Sequence, residues 1–192
     1  MFAGHFGLAA AVKAKQPTVP LWALMISTQL LDIIFVPLFI SGVETMESIG
    51  IGGKEILIHA EYTHSLFGAL LIACLAGMLA LIKWGKRGGI VISATVFSHW
   101  ILDLFVHRAD LPIFPGNMGR FPMLGLGLWE WPAVSLNLEA AMITLGAILY
   151  FRTALTRRKT SSPTNTNSMK KAFFTGTVMG ILLLLSLIVD NI

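Results

Sequence analysis

Gly89-Ile90-Val91-Ile92-Ser93-Ala94-Thr95-Val96-Phe97-Ser98-His99-Trp100-Ile101-Leu102-Asp103-Leu104-Phe105-Val106 is apolar for the length of a membrane crossing, except at His99 and Asp103. About 20 such residues span a bilayer's hydrocarbon core as a helix. An ionisable group inside that core costs roughly 2.5 to 3.5 kcal/mol on insertion scales, so it persists where it has a partner and a task. Residues four apart lie on one helix face, so this histidine and aspartate point the same way and can grip one ion. Imidazole with carboxylate is a donor pair suited to zinc.

The rest of the chain fits that reading. Its 192 residues are 55% hydrophobic and 12% charged, with a mean hydropathy of +0.76, which is unlike a soluble domain. Further apolar runs at 20–41, 64–83, 130–152 and 172–190 predict an all-α, polytopic membrane helical bundle of about five transmembrane helices. Residues 2–12 are too short to cross and predict a short N-terminal helix, amphipathic or re-entrant, packed against the bundle. The polar segment 159–171, with Pro163, reads as a linker between a membrane-embedded domain at 1–158 and a C-terminal transmembrane helix at 172–192.

Basic residues fall on alternate connections: Lys13 and Lys15; Lys83, Lys86 and Arg87; then Arg152, Arg157, Arg158, Lys159, Lys170 and Lys171. The positive-inside rule puts these in the cytoplasm of a multi-pass inner (plasma) membrane protein. Connections 42–63 and 108–129, holding Glu44, Glu47, Glu55, Glu61 and Asp110, then face outward. The net charge of +4 is accounted for by topology, and no recognition motif argues for nucleic acid. Cys74 is the only cysteine, which excludes a disulfide framework and a thiolate cage.

Helix rise converts position into depth. Asp32 lies about 18 Å from the cytoplasmic end of its run, His99 about 15 Å, Asp103 about 21 Å and Glu139 about 18 Å, with His5 at about 12 Å. His64, at the outer start of its run, approaches the same layer. The expected metal ligands are therefore His5, Asp32, His64, His99 and Asp103, around a divalent metal, zinc by donor type. Glu139 and Glu61 are the candidate proton acceptors for a metal-activated water, while His107, Arg108 and Asp110 form an outer rim.

The motifs Thr63-His64-Ser65 and Ser98-His99-Trp100-Ile101-Leu102-Asp103, preceded by His5 and Asp32, resemble the membrane-bound metal-dependent hydrolases known as LexA-regulated inner-membrane hydrolases. The resemblance covers about residues 3–110. The order Asp, His, His-x-x-x-Asp is also similar to the zinc core of phospholipase C-type enzymes. Such likeness implies hydrolysis of a phosphoester, here a lipid-borne or other amphiphilic substrate drawn from the bilayer. The chain departs from the family at Leu31-Asp32-Ile33-Ile34, where Pro-Asp-x-Asp is usual, and at Glu61-Tyr62, where His-Arg precedes Thr-His-Ser. One carboxylate fewer implies one metal, in a divergent member. Two other classes stay open: a small transporter passing a metal ion or proton, and a structural membrane protein whose bundle a metal stabilises.

Overall fold

The computed structural model describes residues 2–49, 55–161 and 166–190. The described chain is mostly helical, in the order α1 (Phe2–Lys15), α2 (Leu21–Thr28), α3 (Leu30–Ile40), β1 (Thr45–Ile49), β2 (Glu55–His59), α4 (Leu66–Val106), α5 (Pro132–Ser161) and α6 (Thr166–Asp190). It forms two compact units, one from residues up to Met25 and from Ala133 onward, the other from Ile26 to Pro132.

In the first unit α1 packs against α6, and Ala3, Ala10, Ile143, Met179 and Leu183 form a buried cluster joining α1, α5 and α6. The last helix is thus built into a core. Small residues let these helices approach: a Cβ on Gly7 would meet the Met142 carbonyl at 2.7 Å, and one on Gly146 would meet the Gly7 carbonyl at 2.1 Å. Close backbone contact of this kind is what small residues supply between apolar helices. α1 is buried at Ala3, Gly4, His5, Gly7, Ala9 and Ala10 and packs against α6, a core helix where an amphipathic or re-entrant one packed against the bundle is expected. Part of the expected linker, 162–165, lies outside the described residues; α5 continues through Ser161 and α6 begins at Thr166.

The second unit is organised by α4. Gly85 interrupts it with φ 69° and ψ −178°, a left-handed value that glycine alone adopts without penalty. A Cβ on Gly77 would lie 2.8 Å from Ser93 Cβ and 3.1 Å from the Gly89 carbonyl. Residues on either side of Gly85 therefore meet, and α4 is a hairpin of two apolar arms.

Three helices are long and apolar enough to cross a membrane: Leu66–Val106, Pro132–Arg157 and Lys170–Val189. Counting α2 with α3 as one broken span makes four. Counted as helices these are three or four where five are expected, because the runs at 64–83 and 89–107 belong to one helix doubled back at Gly85, and the run at 20–41 is broken at Gln29 (φ −114°, ψ 7°). The fold is also not wholly α. β1 and β2 form a two-stranded antiparallel sheet with Thr45 opposite His59 and Ile49 opposite Glu55; the short run Ile56-Leu57-Ile58, with two β-branched residues, suits a strand.

Candidate metal centre

Three segments of the second unit deliver its polar residues to one point. Asp32 sits in the first turn of α3. His99 and Asp103 lie on the second arm of α4, with Asp103 about 5 Å of helix from its end at Val106. His64 is held just before the first arm by a helix cap: Ser65 Oγ accepts from Gly68 N at 3.0 Å and donates to the Tyr62 carbonyl at 3.1 Å. Beyond the cap, Leu66 and Phe67 N–H groups donate to the carbonyls of Pro112 and Ile113, so loop 107–131 completes the helix start. The Trp100 indole donates to the His64 carbonyl at 2.8 Å and ties the arms together at this level.

Four donor atoms converge. His64 Nε2 lies 3.3 Å from Asp32 Oδ1, 3.6 Å from Asp103 Oδ2 and 3.4 Å from His99 Nε2. His99 Nε2 lies 3.5 Å from Asp32 Oδ1 and 2.9 Å from Asp103 Oδ2. A tetrahedral zinc site with bonds of 2.0–2.2 Å has ligand-to-ligand edges of about 3.3–3.6 Å. Four of these five edges match that figure, and the fifth needs to open by a few tenths of an ångström. The buried His/Asp group could hold a metal ion.

The outer hydrogen bonds fix which ring nitrogens face the cluster. His99 Nδ1 is 2.6 Å from the Thr28 carbonyl, at the last residue of α2 before the break. A carbonyl only accepts, so Nδ1 carries a proton and Nε2 is the nitrogen that faces inward, able to ligate a cation once it is unprotonated. His64 Nδ1 is 2.8 Å from Thr63 Oγ1, which is 3.0 Å from each carboxylate oxygen of Glu44. The threonine hydrogen goes to the carboxylate, so His64 Nδ1–H donates to Thr63 and its Nε2 also faces inward. Two imidazole Nε2 atoms and two carboxylate oxygens then face one another. Positive charge must sit among them, as protons or as a cation. One divalent cation with two carboxylates and two neutral imidazoles is electrically balanced and satisfies all four atoms together.

Glu44 is the residue that sequence reasoning passed over. It is 1% exposed, accepts the Tyr62 and Thr63 N–H groups at 2.9 and 2.8 Å, and supports His64 through Thr63. The β-sheet explains its position, because pairing Thr45 with His59 returns the chain beside Glu44 five residues before His64. The signal available in sequence was Thr63 preceding His64, a hydroxyl next to a ligand that itself needs an acceptor.

His64, His99 and Asp103 side chains are 5, 1 and 6% exposed, whereas Asp32 is 39% exposed. The cluster is walled on three sides and open at Asp32. Phe35, one turn beyond Asp32, sets its ring edge-on to His64 at 6.0 Å. Beside them lies a buried dyad, His107 Nδ1 at 2.9 Å from Asp110 Oδ1, with the His107 ring stacked on His64 and against Trp129. Glu61 is half-buried in the turn before His64, its carbonyl accepting from Gly116 N. His5, on α1, and Glu139, on α5, are buried side chains of the first unit.

No family model matches the chain, and neither a curated protein nor a solved structure matches it. The chemistry of the site therefore rests on its own geometry.

Proposed function

We propose that the protein is an integral membrane metal-dependent hydrolase with one zinc-type site formed by Asp32, His64, His99 and Asp103. The observation that carries this is the inward convergence of two imidazole Nε2 atoms and two carboxylate oxygens, four of whose five separations suit a tetrahedral ion. Two histidines and a carboxylate, all buried, supply the three fixed ligands usual for a hydrolytic metal. Asp32, at the opening, is the fourth and displaceable one. A divalent metal held there supplies an acidified water and polarises the substrate oxygen. Glu44 and Thr63 hold His64 in its ligand tautomer, and Thr28 does the same for His99. The His107–Asp110 dyad, with Glu61 nearby in sequence to His64, provides proton-accepting groups on the same side.

The cluster lies near the open ends of the α4 arms rather than at a midplane, about one to two helical turns in from Val106. In a bilayer that is the depth of glycerol and head group, which suits a lipid-borne phosphoester. We place the Gly85 turn, with Lys83, Lys86 and Arg87, on the cytoplasmic side of an inner membrane and the site toward the outer face. Incubation of the purified protein with zinc and a panel of lipid phosphoesters tests the reading. Metal-dependent release of product, lost in His99→Ala, is expected.

A closed set of four protein donors also suits a site that only holds or passes an ion. Zinc flux into liposomes without hydrolysis of any phosphoester would select that second reading.

A further inference from the structure

The two arms of α4 meet through small residues, with Gly77 on the first arm against Gly89 and Ser93 on the second. Backbones that approach this closely leave space between the longer side chains beside them. Here that space is a groove of about 620 Å³ between the arms. Its buried lining is small, at Ala73, Gly77 and Gly89. Its exposed lining is long and apolar, at Leu70, Met78, Leu81 and Ile90. Helix periodicity puts Ile90 and Ala94, both groove residues, on the opposite side of the second arm from His99 and Asp103. The groove is therefore separate from the metal centre, and nothing about it depends on the activity proposed there.

One charged residue lines the groove, Lys86. It directly follows Gly85, the residue at which α4 reverses, so it stands at the closed end of the hairpin. Lys83, Lys86 and Arg87 mark that end as a membrane–water boundary. The chain carries no acidic residue between Glu61 and Asp103, so α4 sets no carboxylate beside Lys86 at this end. From Leu81 back to Leu70 the first arm rises about 16 Å, close to half of a hydrocarbon core of about 30 Å. An apolar groove one leaflet deep, with a cation at its interfacial end, matches an anionic amphiphile in length and in charge. We propose that the groove binds an anionic phospholipid of the leaflet next to the Gly85 turn, with an acyl chain lying between the arms of α4 and the phosphate at Lys86. The lysine stem can lie along the apolar wall while its ammonium reaches the head group.

The test uses the full chain in dodecylmaltoside micelles, with bound lipid counted by native mass spectrometry and folding confirmed by the unfolding midpoint. Phosphatidylglycerol is expected to bind about fivefold or more tightly than phosphatidylcholine, the gain that one cation gives beside an anionic head group. Lys86→Gln should lose that preference, whereas Arg87→Gln, at the same turn but outside the groove lining, should keep it. Ala94→Trp puts a ring into the groove from an exposed position and should lower binding of both lipids. Cys74, the only cysteine, also lines the groove, so its alkylation with N-ethylmaleimide on folded protein should lower binding without any substitution. Equal binding of the two lipids, equal loss in Lys86→Gln and Arg87→Gln, or unchanged binding after Cys74 alkylation overturns the proposal. So does a dimer that Ala94→Trp abolishes while lipid binding is unchanged, since the groove would then take a second copy of the chain.

Discussion

Replacing Glu44 by glutamine keeps the shape of the side chain and changes one thing, the direction in which hydrogens can run. The Oε1 of glutamine can still accept from the Tyr62 and Thr63 N–H groups, as Glu44 Oε1 does at 2.9 and 2.8 Å. The position now held by Oε2, 3.0 Å from Thr63 Oγ1, becomes an amide N–H that donates. Thr63 Oγ1 is also 3.0 Å from Oε1, but the two lone pairs of that oxygen are engaged by the Tyr62 and Thr63 N–H groups, so the threonine hydrogen turns to its other neighbour, His64 Nδ1 at 2.8 Å. Donation there moves the imidazole proton to Nε2, which points into the cluster and blocks ligation. Loss of an outer partner of a ligating histidine costs about 10- to 100-fold in metal affinity, or about 1.4–2.7 kcal/mol. Competition with a zinc chelator of known affinity, on protein whose unfolding midpoint confirms folding, measures this. Thr63→Val should lose affinity similarly and Thr63→Ser should retain it. Zinc binding within twofold of wild type in both Glu44→Gln and Thr63→Val would refute the tautomer reasoning.

Further outcomes follow from the same contacts. Gly68→Ala places a Cβ 1.9 Å from the Tyr62 carbonyl and 2.6 Å from Ser65 Oγ; the cap that positions His64 should be disrupted, lowering stability by about 1–3 kcal/mol by thermal unfolding and weakening metal binding with it. Trp100→Phe removes the donor to the His64 carbonyl and should cost about 1 kcal/mol of stability with a smaller loss of zinc affinity than Glu44→Gln. Zinc affinity should fall by about tenfold or more between pH 7.5 and 5.5, because each ligating imidazole must be unprotonated and protons compete for Nε2 as pH drops; calorimetry in buffers of different ionisation enthalpy would count the protons released.

Periodicity made part of the site legible. His99 and Asp103 are neighbours by helix geometry alone, and Asp32 reached them because two apolar runs could be aligned by depth. The structure joins both to His64. α4 carries the cluster close to the open ends of its arms, with His64 just before the first and Asp103 three residues from the end of the second. Gly85 was hidden among Trp84, Lys86 and Arg87, which looked like an ordinary loop between two helices. In the structure those residues remain helical on both sides of a single reversed residue. Glu44 could not be found by hydropathy or helix spacing. Its role arises from a two-stranded pairing 15 residues long from Thr45 to His59, and the glycine-rich middle of that stretch, 50–54, lies outside the described residues. His5 and Glu139, expected at the depth of the ligands, are both buried side chains on helices of the first unit.

Metal content is the direct test of the central claim. The wild-type protein, purified in detergent without added chelator and loaded with zinc, should hold one equivalent by mass spectrometry of its elements after gel filtration. Single variants His64→Ala, His99→Ala and Asp103→Ala should hold less than a tenth of that while remaining folded. Wild type that retains no transition metal, or variants that retain as much as wild type, would contradict a metal centre built from Asp32, His64, His99 and Asp103.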